Sequence, residues 1–146
     1  MKNNILTERY KFILDKIKLL DEQYIKNTNL TYKIIISLVS FISLSKLAFL
    51  EGKIDFTTFI FCIKSAGFIL CISFLYLSFI SIAIILSWID YRKDEYHIFE
   101  KLELSNYREK PKLNGMYRWS ETYFIIICIL LSILGLTLFL APSIVP

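Results

Sequence analysis

Apolar and polar residues fall along this chain in long blocks. Three apolar runs, Leu30 to Leu50, Phe56 to Trp88 and Tyr123 to Pro146, are set between charged stretches. A helix needs ~20 apolar residues to cross a hydrocarbon core of ~30 Å, and each run is long enough. The pattern predicts an all-α integral membrane bundle. Two transmembrane helices form an N-terminal hairpin, a third follows, and a small cytoplasmic helical layer joins them. The expected organisation is a cytoplasmic amphipathic helix over 1–29, the hairpin over 30–88, a cytoplasmic helical extension and loop over 89–117, and the third span over 118–146.

The first charged block has its own rhythm. Leu6, Tyr10, Ile13, Ile17, Leu20 and Tyr24 recur at alternating spacings of four and three. That is a heptad seam. Such a helix either lies on the inner leaflet or packs against another helix, in this chain or in a neighbouring subunit, and the seam favours packing. Asn27 to Asn29 predict a break before the first span. Beyond Trp88, the residues Ile98, Phe99 and Leu102 continue an apolar face, while Arg92, Lys93, Asp94 and Glu95 supply a polar one. Pro111 and Asn114-Gly115 end this pattern. The extension is expected to pack on the N-terminal helix. The seam, with Ile98, Phe99 and Leu102, is the candidate surface for a cytoplasmic protein partner.

Within the spans, small residues repeat at helical spacing. Ser37, Ser40 and Ser43 share a face of the first, and Cys128, Ser132 and Gly135 a face of the third. Small residues let helices approach closely in lipid, within one chain or between chains. Glu51 to Asp55 predict a tight turn. The second run is too long for one perpendicular crossing. Lys64 divides it, with 54–63 an outer or re-entrant stretch, or else one tilted helix runs through.

Charge sets the orientation. The net charge of +4 and pI near 8.9 come mostly from Lys and Arg flanking the apolar runs. Seven lie before or at the start of the first run and seven between the second and third, whereas the turn holds only Lys53. The positive-inside rule then places the N-terminus in the cytoplasm and the C-terminus on the outside. Trp88, Tyr91, Tyr117, Trp119 and Tyr123 fall where interfacial aromatics belong. The basic balance is explained by topology, so nucleic acid is not an expected partner. The three cysteines lie inside apolar runs and His97 is the one histidine, so no metal or cofactor is expected. No hydrolase elbow, P-loop, zincin or dinucleotide signature is present, and the chain is not expected to be an enzyme. No signal peptide is visible either.

Lys46 and Lys64 stand out, because charge within apolar sequence is expensive. Each either snorkels to the outer headgroups or pairs with Glu51 or Asp55, or else both line a polar path with the serine stripe. If several chains assemble, the lysines would ring an axis and favour anions.

The stretch from Glu8-Arg-Tyr-Lys-Phe-Ile-Leu-Asp15 to Trp88-Ile-Asp-Tyr-Arg-Lys93 resembles the SLATT-type small transmembrane effectors of bacterial anti-phage defence. The resemblance implies a homo-oligomer in contact with membrane lipids that permeabilises the inner membrane when a cytoplasmic partner signals infection. The third span departs from the two-span pattern of that group. The chain also resembles immunity proteins against pore-forming bacteriocins, which are short, basic and polytopic. A membrane anchor for a cytoplasmic complex is the remaining expectation.

Overall fold

The computed structural model describes residues 2–102 and 119–142, with side chains from Ile5 onward. These residues form three helices and no strand: α1 Lys2–Leu50, α2 Phe56–Lys101 and α3 Ser120–Leu140. All three are long and apolar enough to cross a membrane. The expected ending at Pro111 and the turn at Asn114-Gly115 lie outside the described residues, as does Pro146.

α1 corrects the first expectation. It is continuous, with no break at Asn27 to Asn29. The seam that begins at Leu6 does not stop at Tyr24. It carries on through Asn27, Thr31, Ile34, Leu38, Ile42, Ser45 and Phe49, all buried or half-buried. Thr28 and Thr31 donate their hydroxyls to the carbonyls of Tyr24 and Asn27, each at 3.0 Å. Asn and Thr cost a helix only about 0.5 kcal/mol each, and packing on both sides outweighs that.

α2 likewise runs unbroken through Lys64, so 54–63 is not re-entrant: from Phe56 it is the first part of the long helix. The seams of α1 and α2 face each other antiparallel. Phe49 stacks on Phe59 at 5.1 Å near the turn, and Tyr10 meets Phe99 edge-on at 5.5 Å at the other end. Counting outward from the first contact, the second lies 39 residues back along α1 and 40 forward along α2. One register therefore holds over nearly the whole hairpin, as two heptad-like seams require.

The turn between them is built by a Schellman motif. The amide of Lys53 bonds the carbonyl of Ala48 at 2.9 Å, and that of Gly52 bonds Phe49 at 3.0 Å. Gly52 sits at φ 71°, where a side chain would be strained. Asp55 opens α2 and accepts a hydrogen bond from the Thr58 hydroxyl, which holds its carboxyl below the ordinary carboxylate range.

α3 lies antiparallel on α2. Trp88 meets Trp119 at 5.1 Å at one end, and Phe68 meets Phe139 at 5.8 Å at the other. The two contacts are 20 residues apart on each helix, a rise of about 30 Å and so the thickness of a hydrocarbon core. Between them, Leu70, Phe74, Leu77, Phe124 and Cys128 form the main core, with Ile34, Ile35 and Leu38 of α1 packed on its side. A second cluster, Ile13, Ile17 and Ile98 with Tyr10, Trp88, Tyr91 and Leu102, closes the far end of the hairpin.

Candidate functional site

Two surfaces of α2 treat their neighbours differently. On the α3 side, Gly67 and Gly135 face each other so closely that a Cβ on Gly135 would lie 2.5 Å from the Cys71 amide nitrogen and 2.7 Å from the Gly67 carbonyl oxygen. Ser132 donates its hydroxyl across the crossing to the Cys71 carbonyl at 3.1 Å. Cys128, Ser132 and Gly135 are all buried here. The small face of the third span thus meets α2 of the same chain. Its complement on α2, Ala66-Gly67 and Cys71, carries its own signal in the sequence: small residues at four-residue spacing.

On the α1 side the contact is a seam alone. Only 6% of the most apolar stretch of α1 is buried inside the protein, against 39% for α2 and 22% for α3. Ser37, Ser40 and Ser43 are exposed on the face away from α2, and Lys26, Asn29 and Lys33 extend that face toward the charged end. The register places these residues beside the stretch of α2 that α3 covers. Asp21 confirms the level, because it shares a cavity with Trp88 and Trp119. Tyr24 does so too, with its ring 5.5 Å from Phe124. A stripe of hydroxyls, an amide and lysines therefore runs along α1 beside an otherwise apolar belt. The serine that α1 does bury is Ser45, which bonds back to the Phe41 carbonyl at 2.8 Å.

Lys46 and Lys64 do not join this stripe. The hairpin register sets them at one level, near the end of α3, but on different helices. Lys46 is half-buried at the flank of the seam, and Lys64 is exposed beside Phe68 and Phe139. Neither makes an ion pair with Glu51 or Asp55 among the described contacts. Glu51 instead pairs with Lys53 at 2.6 Å in the turn.

The residues expected to meet a partner largely meet each other. Ile13 and Ile17 are buried with Ile98, Tyr10 touches Phe99, and Leu102 packs on the same cluster. Leu6, Leu20 and Tyr24 are half-buried on the same seam. Arg9 ties α1 to Asp94 at 3.5 Å across the outside. The unforeseen feature at this end is Glu95, fully buried and paired with Arg92 at 2.8 Å, whose guanidinium lies 4.7 Å over the Trp88 ring. In sequence these read as a solvated face; their i, i+3 spacing with Trp88 one turn back was the available signal.

Among the described residues no three His, Cys, Asp or Glu side chains gather closely enough to hold a metal ion. No known protein family, curated protein or solved structure matches this chain.

Proposed function

We propose that this protein is a non-enzymatic effector that assembles with copies of itself in a bacterial inner membrane and permeabilises it, under the control of a cytoplasmic partner. The carrying observation is the polar stripe of α1. It lies beside the apolar belt, faces away from its own chain, and belongs to the helix least covered by the other two. A lone helix in lipid gains nothing from Ser37, Ser40 and Ser43 on its outer face. Copies that bring these faces together gain hydroxyl contacts and close backbone approach, or a wetted lining. Lys26 and Lys33 at one mouth would favour anions. With the apolar seam filled by α2, the partner would meet the charged outer surface at the far end of the hairpin. The likeness to SLATT-type effectors in the stretch from Glu8 to Lys93 points the same way.

The test is induction in a bacterial host with membrane potential read by a voltage-sensitive dye, beside a Ser37→Leu, Ser40→Leu, Ser43→Leu triple variant at matched membrane expression. Depolarisation before growth arrest, lost in the variant, is expected. Equal depolarisation by both would refute the lining. A normal potential with the wild type, persisting when a cytoplasmic protein that co-purifies with it is expressed alongside, would refute the effector reading.

A further inference from the structure

A cavity of about 340 Å³ opens where the three helices converge at the Trp88–Trp119 end. Asp21 of α1, Trp88 and Arg92 of α2, and Trp119, Ser120 and Glu121 at the start of α3 line it. The paired indoles mark the level at which hydrocarbon gives way to headgroups. The lining carries both signs of charge: two carboxylates and one guanidinium.

Arg92 is held rather than free. Its Nη1 donates to Glu95 at 2.8 Å, and its guanidinium covers the Trp88 ring at 4.7 Å. Its Nε is buried and has no acceptor among the described residues. The side chain keeps 18% of its surface exposed, so a guanidinium donor other than the buried Nε is the one offered to a phosphate oxygen. Beside it, α3 opens at Trp119, whose own side chain does not cap the helix, and the helix start adds a favourable partial charge for an anion. The Ser120 hydroxyl donates to Glu121 at 3.1 Å and keeps that carboxylate at the rim with Asp21. Carboxylates there suit a cation. Because Arg92 already covers Trp88, the site favours an ammonium that donates hydrogen bonds over a quaternary one that needs bare aromatic faces. Ile85 gives the cavity an apolar wall continuous with the belt.

We propose that this cavity binds the phosphoethanolamine headgroup of a membrane phospholipid, with the phosphate at Arg92 and the start of α3 and the ammonium at Asp21 and Glu121. The lipid would lie in the leaflet on the Trp88 side, its chains along α2 and α3. This stands apart from the effector reading and does not need an assembly.

Trp88 and Trp119 are the only tryptophans in the chain, so all indole emission reports on this cavity. The full chain in maltoside detergent is titrated with dihexanoyl phosphatidylethanolamine, phosphatidylcholine and phosphatidylglycerol, and with free O-phosphoethanolamine. A saturable response to the ethanolamine lipid, with midpoints about tenfold weaker for the other two lipids, is expected. Asp21→Asn with Glu121→Gln should weaken the ethanolamine midpoint by about tenfold while leaving helical content unchanged. Should that variant fail to fold, lipid carried through purification from mixed ethanolamine and glycerol phospholipid vesicles gives a second reading, with ethanolamine lipid enriched over the vesicle ratio. Equal response to all three lipids, no enrichment, or an unmoved midpoint in a folded variant would overturn the proposal. Free O-phosphoethanolamine binding as tightly as the lipid would overturn the assignment to a lipid.

Discussion

α2 presents one side to α3 and another to α1, and the two contacts are made in different ways. The α3 side is a close crossing: two glycines back to back, a hydroxyl bonded across, and a buried apolar core from Leu70 to Leu77. The α1 side is a long seam in a single register, with a buried cluster at the charged end and Ile34, Ile35 and Leu38 resting on the side of the α2–α3 core. Close approach in lipid must come from small residues, because lipid chains compete with any apolar side chain. Outside the hydrocarbon core, an apolar seam is driven together by water. The hairpin thus relies most on its charged end and its turn, and leaves the outer face of α1 open.

The sharpest way to break that contrast is Gly135→Leu. The new side chain would collide with the backbone of Cys71 and Gly67, which cannot rotate away. A loss of about 3 kcal/mol is expected, read as a large fall in Tm in detergent and exposure of α3 to protease. An unchanged Tm would mean that the crossing yields to a side chain at Gly135.

Next comes Arg92→Met. It strips the guanidinium from the fully buried Glu95 and from Trp88. About 2 kcal/mol should be lost, less than for a wholly unpartnered buried charge because Glu95 keeps another interaction. Thermal unfolding measures it, and Glu95→Gln in the same background should recover part of the loss.

The outer face of α1 should behave in the opposite way. Ser40→Leu is expected to change stability by no more than about 0.5 kcal/mol, yet to reduce leak from proteoliposomes. Loss of stability with leak intact would reverse the comparison. Arg9→Ala removes a long, exposed bridge to Asp94, and unfolding should register about 0.5 kcal/mol at most, fading in high salt.

The smallest effect is at the turn. Asp55 has a lowered pKa, chiefly because the Thr58 hydroxyl bonds its carboxylate. A depressed folded-state pKa gives stability above the ordinary value of about 3.9, lost as pH falls through the lower folded value. Thr58→Ala should move the Asp55 titration, followed by carboxyl NMR, upward toward that ordinary value. No movement would remove Thr58 as the cause.

Much of the architecture was legible because apolar length and heptad spacing are strong signals. The three helices, the turn at Glu51 to Asp55 and the seam from Leu6 to Tyr24 follow from them. The break that Asn27 to Asn29 predict does not form, because the packed seam outweighs their weak local propensity. Extending the same spacing to Thr31, Ile34 and Leu38 would have carried the helix through. For Cys128, Ser132 and Gly135 the small face was visible, but not whether it would meet α2 or another copy, since spacing marks a face and not its partner. The Arg92–Glu95 pair and the Trp88 cavity depend on residues from three helices coming together. No one-dimensional pattern places Asp21 beside Trp119.

The proposed assembly requires the outer face of α1 to be wetted and shared between copies. Ser40→Cys is compared with Leu130→Cys, which is exposed on α3, and with the wild type as background for its three free cysteines. Each is treated in membranes with a membrane-impermeant thiol reagent and, separately, with an oxidant. Rapid labelling and disulfide-linked dimers are expected at position 40, and neither at 130. No labelling and no dimer at position 40, or equal behaviour at both positions, would contradict it.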